Sequence, residues 1–259
     1  MVGFKILFTL CAFAICFCAS AYVDTLQKCG KSDAVCQKKL LQSVLKSISK
    51  TGIPELDIPQ IDPIQLKGFN VAILDLVNIT LVDGVAKGVK DCTVNKFEAN
   101  FDDLHASIEL LCDITIKGHY SVYSGSPLIK NFLGGDNIHG DGNGKAKIEK
   151  FKIAFDFDFT VEKRGDDLFI KSSIDKMKYT YDVLGKMVFA ADNLYVGNKE
   201  QSASIVKLMN ENWRILMDMV GKQFVEKAMN FVFNFTQKFF SNVPTKNYIL
   251  DDLENYVSS

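Results

Sequence analysis

The chain has 259 residues, close to half of them hydrophobic, and a formal net charge of −1. That is enough apolar material to bury a sizeable core, and its acidic and basic residues are interspersed with no long basic run. Nucleic acid is disfavoured as a partner, because phosphate binding needs a concentrated positive field.

The first predicted element is a leader. Lys5 precedes an apolar run from Ile6 to Cys18, and the small residues Ala19, Ser20 and Ala21 follow. This pattern reads as a secretory signal peptide over 1–21, cleaved after Ala21, and the run is shorter than the ~20 residues of a membrane span. Losing Lys5 takes the net charge from −1 to −2. The expected product is a secreted, extracellular protein over 22–259, a single domain with no obvious linker. It keeps Cys29, Cys36, Cys92 and Cys112, an even number that reads as two disulfides in an oxidising compartment. Asn78-Ile79-Thr80 and Asn234-Phe235-Thr236 become usable glycosylation sequons there, at Asn78 and Asn234.

Ser32 or Asp33 can cap a helix running to about Lys50, with an apolar stripe of Leu40, Leu41, Val44, Leu45 and Ile48. Gly52–Leu66 follows, where three prolines alternate with Ile and Leu. Proline spacing forbids a helix, so an extended connector pinned by its apolar residues is expected.

From roughly Leu66 to Val196 the pattern is β. Leu74–Gly84 reads as a strand stopped by Asp83-Gly84. Cys92–Phe101 and His105–Lys117 read as a hairpin. A turn centred near Asp102 sets Cys92 opposite Cys112, where a cross-strand disulfide is geometrically possible. A slip of one residue would turn the two sulfurs to opposite faces. The clearest strand is Ile148–Glu162, with Phe151, Ile153, Phe155, Phe157, Phe159 and Val161 on every second residue. At ~3.3 Å per residue it would span roughly 45–50 Å. Arg164–Asp167 is a turn, and Leu168, Ile170 and Ile174 resume the alternation.

One long helix is predicted from near Ser202 to about Val243, roughly 60 Å at ~1.5 Å per residue. Polar residues recur in steps of four, from Asn210 through Arg214, Asp218, Lys222, Glu226, Asn230 and Asn234 to Lys238. The rest of the circumference is apolar, so most of this rod is covered by protein, and charges at every turn exclude a spanning helix. Asn234 lies on the polar stripe, within reach of a glycan.

In order and spacing, Cys29-x6-Cys36, GIPELDIP at Gly52–Pro59, GDGNGKAKI at Gly140–Ile148, ASIVKLMNENW ending at Trp213 and the terminal FFSNVP resemble the takeout / juvenile-hormone-binding protein family of insects. The resemblance implies an α+β fold in which a long C-terminal helix is wrapped by a highly curved antiparallel sheet, a tubular super-roll. It also implies a tunnel holding an elongated hydrophobic ligand, such as a terpenoid hormone or fatty acid, and a Cys29–Cys36 disulfide. Trp213, Met217, Phe224 and Phe231 on the rod, facing Phe151, Phe155 and Phe159 on the strand, are the expected tunnel wall. The alternation leaves open which face of that strand lines a tunnel and which packs as solid core.

Reactive chemistry has no support. His105, His119 and His139 form no ligand pair, and Gly125-Ser126-Pro127 lacks the glycines of a hydrolase elbow. A phosphate loop in GGDNIHGDGNGK would need glycine at His139, and a calcium loop would need oxygen donors where Lys145 and Lys152 stand. This stretch reads as a flexible lead-in to the long strand, and Asp156 and Asp158 as solvated groups on its polar face. The expectation is a carrier of a small hydrophobic ligand, not an enzyme, with no cofactor, no metal, no stable membrane insertion and an unknown receptor. The alternative is a membrane-surface lipid-transfer protein of the bactericidal/permeability-increasing kind, for which the near-neutral charge offers no cationic tip.

Overall fold

A computed structural model describes residues 22–73, 76–132, 135–172 and 177–257; the expected signal peptide lies outside them. Helix α1, Ala34–Ser47, begins where the Asp33 carboxylate accepts a hydrogen bond from the Cys36 N–H at 2.9 Å. Val44, Leu45 and Ile48 of its apolar stripe are buried. The proline-rich connector is pinned by buried Ile53, Ile58 and Ile61. It is not uniformly extended, because Pro54, whose φ is preset near the helical value, starts a 3-10 turn over Pro54–Leu56.

Ten strands follow among the described residues: β1 Ile64–Ile73, β2 Val77–Lys87, β3 Thr93–Asn100, β4 His105–Tyr123, β5 Ile138–Arg164, β6 Asp167–Ser172, β7 Lys178–Val183, β8 Met187–Ala191, β9 Leu194–Val196 and β10 Lys199–Glu200. A short helix, α2, Pro127–Phe132, separates β4 from β5. All strand pairs are antiparallel, and β4 and β5 are the spine. β4 carries β3 along its first half and β2 along its second. β5 carries in turn β9, β8 and β7, then β6 at its far end. The sheet curves without closing.

Irregularities in register bend it. The β4–β5 ladder shifts at Asp113, where the Asp113 carboxylate accepts from the Lys150 N–H at 2.7 Å and Lys150 takes a φ of 52°. Such a bulge turns the strand and raises its twist. A second bulge, at Asn95, adjusts the β3–β4 hairpin. Near the turn Asn100 pairs with His105, a register that would carry Cys92 past Cys112. Beyond the bulge Val94 pairs with Leu110 and Thr93 with Leu111, which brings the cysteines level.

Two strands run further than their sequence boundaries imply. β2 does not stop at Asp83-Gly84: a Cβ on Gly118, its neighbour in β4, would lie 2.1 Å from the Asp83 carbonyl, so glycine serves close strand approach here, not a turn. β5 starts at Ile138, and the glycine-rich stretch is ordered strand instead of a flexible lead-in. A Cβ on Gly142 would lie 2.3 Å from the Asp192 side chain, which already accepts from the Asn143 N–H at 2.6 Å.

The predicted single rod is two helices, α3 Ser202–Glu211 and α4 Trp213–Asn242, broken at Asn212. The break lets α3 lie along β8, where the Asn210 side chain accepts from the Phe189 N–H at 2.7 Å and donates to the Phe189 carbonyl at 3.0 Å. Helix α4 buries Gly221, Val225, Met229 and Phe233, residues four apart. Its polar flank does more than meet water. Gln223 donates to the Ala72 carbonyl at 2.9 Å and Lys227 to that of Asn70 at 2.8 Å, while Phe224 stacks on Phe69 at 5.1 Å. The helix thereby covers the free edge of β1 and satisfies backbone groups that an edge strand leaves unpaired.

Candidate functional site

An apolar cavity of about 190 Å³ lies between α1, strands β3 to β6, the second half of α4 and the C-terminal segment. Helix α1 brings Leu40, Leu41, Val44 and Leu45 to it; β3 and β4 bring Phe97, Ala106 and Ile108; β5 brings Phe155, Phe157 and Phe159. From α4 come Phe231, Phe235, Phe239 and Phe240, and from the segment after it Tyr248 and Ile249. Period-2 alternation in β5 turns its three phenylalanines to the same side, which decides that this face, not the Asp156/Asp158 face, lines the cavity. On the opposite face, Asp156 and Asp158 are not merely solvated but lie 3.6 and 3.0 Å from the ring nitrogens of His105.

The wall carries no charged side chain. Its polar residues are Gln37, Thr236 and Tyr248. The Gln37 amide donates to the carbonyls of Gly30 and Lys31 at 3.0 and 2.9 Å, and the Thr236 hydroxyl to that of Val232 at 2.8 Å. A space of this size and lining stays dry: engineered apolar cavities of ~150 Å³ exclude water and take up small apolar molecules.

Of the residues read as tunnel wall, the structure brings Phe155, Phe159 and Phe231 together on the cavity. Phe151, Trp213, Met217 and Phe224 lie elsewhere. Phe151 follows the bend at Lys150 and faces Tyr181 at 6.3 Å. Trp213 opens α4 under the Arg214 guanidinium at 4.3 Å, and Met217 lies over Gly221, whose hypothetical Cβ would be 2.7 Å from its methyl. Phe224 is 38% exposed against Phe69. The first half of α4 sits past the cavity, a displacement that helical periodicity alone does not encode. The stripe of α1 and the C-terminal Tyr248 are wall residues that sequence reasoning passed over. The doubled Leu40-Leu41 and Val44-Leu45 stripe, wider than a short helix needs for one contact, was the available signal.

Two disulfides brace this end. Cys29 is bonded to Cys36, with a Cα separation of 5.6 Å, and Cys92 to Cys112 at 4.3 Å. The first ties the start of α1 to the C-terminal segment, because the Cys29 N–H donates to the Tyr248 carbonyl at 3.0 Å and the Leu250 N–H returns to the Cys29 carbonyl at 3.0 Å. Asn78 and Asn234 are both exposed. Among the described residues no helix is long and apolar enough to cross a membrane.

A curved antiparallel sheet rolled about a long helix, with a Phe-lined cavity, is an architecture suited to holding apolar molecules. The chain belongs to the haemolymph juvenile hormone binding protein family, whose profile matches residues 7–250. Among solved structures it resembles Takeout 1 of Epiphyas postvittana, at 24% identity and a TM-score of 0.76, covering 87% of this chain and all of that one. That likeness establishes the fold. No curated protein matches the sequence.

Proposed function

We propose that the protein is a secreted carrier that takes a small, elongated hydrophobic ligand out of water and holds it in the Phe-lined cavity. The observation that carries this reading is the wall itself, predominantly apolar and free of charge. Transfer of apolar surface contributes ~25 cal/mol per Å², so burying a few hundred Å² of ligand is sufficient for micromolar affinity. Phe155, Phe159 and Phe231 are the contact residues retained from the sequence, joined by Phe157, Phe235 and the α1 leucines. The family name points to a terpenoid of the juvenile hormone type; the apolar chains of fatty acids and similar lipids are the other candidates for this wall. Removal of residues 1–21, glycosylation at Asn78 and Asn234, and a receptor complete the reading, with two disulfides favouring an oxidising compartment.

Native mass spectrometry of the protein secreted from insect cells, followed by organic extraction, tests it. A discrete extra mass of a few hundred daltons is expected, and Ala106→Phe, which fills the cavity from β4, is expected to lose it while keeping the wild-type circular dichroism; Ile108→Phe serves if that variant misfolds. A protein that is empty and ignores added lipids, or a filled variant that still carries ligand, would overturn the carrier.

A further inference from the structure

Asn78, the acceptor of the first sequon, is the second residue of β2 and is exposed. In the ladder it stands between Ala72 of β1 and Tyr123, the last residue of β4. Residues directly opposed in an antiparallel pair point to the same face, with Cβ atoms about 4.5–5.5 Å apart. The Tyr123 side chain therefore rises beside Asn78, while Ala72 leaves the other flank low. Tyr123 is 55% exposed, and among the described residues its ring makes no aromatic contact and its hydroxyl no hydrogen bond. A Cβ on Gly125 would lie 3.0 Å from the Tyr123 hydroxyl and 3.1 Å from its Cε1, so the ring lies against the backbone there with the rest of it in water. The cavity does not use this ring, since β4 meets the cavity at Ala106, Ile108 and Leu110, towards its other end.

Resting on the reading that the secreted chain is glycosylated at Asn78, we infer that Tyr123 is a stacking platform for the first N-acetylglucosamine of the glycan carried there. A pyranose presents an apolar face of C–H groups, and an aromatic ring meets it with matching area and an electron-rich surface. A free sugar holds to one tyrosine only weakly. Attachment to the neighbouring residue makes the contact intramolecular, at an effective concentration that a short tether sets in the millimolar range. The sugar then covers an otherwise bare ring and joins β2 to β4 at the end of their ladder, as a cross-strand side-chain pair does. Asn234 offers an internal comparison. Its neighbours four residues away on the exposed stripe of α4 are Asn230 and Lys238, so the second glycan meets no ring along that stripe.

Peptide mapping of the protein secreted from insect cells first establishes occupancy of Asn78. Urea midpoints are then compared with and without that glycan, using Asn78→Gln, in wild type, Tyr123→Phe and Tyr123→Leu. Loss of the glycan is expected to lower the midpoint by roughly 0.3 M in wild type and Tyr123→Phe, the worth of one aromatic contact, and to leave Tyr123→Leu unmoved. Asn234→Gln should shift the midpoint equally in all three, because its glycan is not coupled to the ring. In protein with isotope-labelled glycans, C–H protons of the first sugar on Asn78 should be moved upfield by the ring in wild type and Tyr123→Phe, and not in Tyr123→Leu. An occupied Asn78 whose glycan stabilises the leucine variant equally, or whose sugar protons show no ring shift in wild type, overturns the platform and leaves the glycosylation standing. If Asn78 is unoccupied, the glycosylation reading fails and the platform falls with it.

Discussion

Asn210 shows how a single polar residue redirects a helix. By hydrophobic period it belongs to the polar stripe of one continuous rod, yet its amide makes two hydrogen bonds to the backbone of Phe189 and thereby docks α3 on the sheet. Replacing it with alanine leaves the Phe189 N–H and carbonyl without that partner, at a cost of about 1–3 kcal/mol. Urea denaturation of Asn210→Ala should record that loss, and hydrogen exchange should show the Phe189 amide deprotected while α4 is unaffected. Phe224 teaches the converse. Its large ring suggests a binding contact, but it is spent on Phe69 at the edge of β1, so Phe224→Ala should weaken that docking without altering uptake of ligand into the cavity.

At the level of elements, the β3–β4 hairpin was legible in the alternation of its residues, and the pairing of Cys92 with Cys112 followed from a turn near Asp102. The route to it was not legible. The actual turn sits half a residue further on, and the bulge at Asn95 restores the register, because only an unpaired residue can shift a ladder between two fixed ends. The disulfide locks this correction beside the bend in β4. Removing it by joint Cys92→Ser and Cys112→Ser substitution reopens a 20-residue separation in the unfolded chain and should lower stability by about 3 kcal/mol, read as a shift in urea midpoint. The glycine-rich segment is the opposite case. Local chemistry marked it as flexible, whereas Gly142 is held in the sheet by the approach of Asp192 from the β8–β9 connection, a contact with residues about fifty positions away.

Among the described residues charge is kept off the cavity wall, and the one buried carboxylate, Asp62, instead accepts from the Gly88 and Lys90 N–H groups at 3.0 Å each. Glu162 is held below the usual carboxylate range by Lys171, with Arg164 adding to the effect, and Asp57 by Lys238 reaching across from α4. Both pKa values are depressed by folding. The stability they contribute is therefore present above the ordinary carboxylate pKa and lost as pH falls through the depressed values. Urea midpoints should be flat above about pH 5 and decline below about pH 4. Because these groups are exposed, added salt should diminish the decline. Ligand affinity should behave differently. With no charged group on the wall and the Tyr248 phenol raised by burial, it should stay constant between about pH 5 and 9, measured by probe displacement. A bell-shaped or stepped profile would show that a titrating group reaches the ligand.

What the sequence determined by itself is local and periodic. The alternation of Phe151 to Val161 specifies one buried face of β5, the four-residue recurrence of Arg214 to Asn234 specifies an exposed stripe, and Ser32 or Asp33 marks the start of α1. Each depends on neighbours along the chain, where spacing maps directly onto geometry. Tertiary structure alone decided where the cavity lies along the roll: beneath α1 and the second half of α4, so that Phe155, Phe159 and Phe231 meet there while Trp213 and Met217 do not. It also decided that Tyr248 joins them. Those contacts unite segments separated by more than two hundred residues, and their alignment is set by bulges, a helix break and the bend at Asp113. None of these has a period to read.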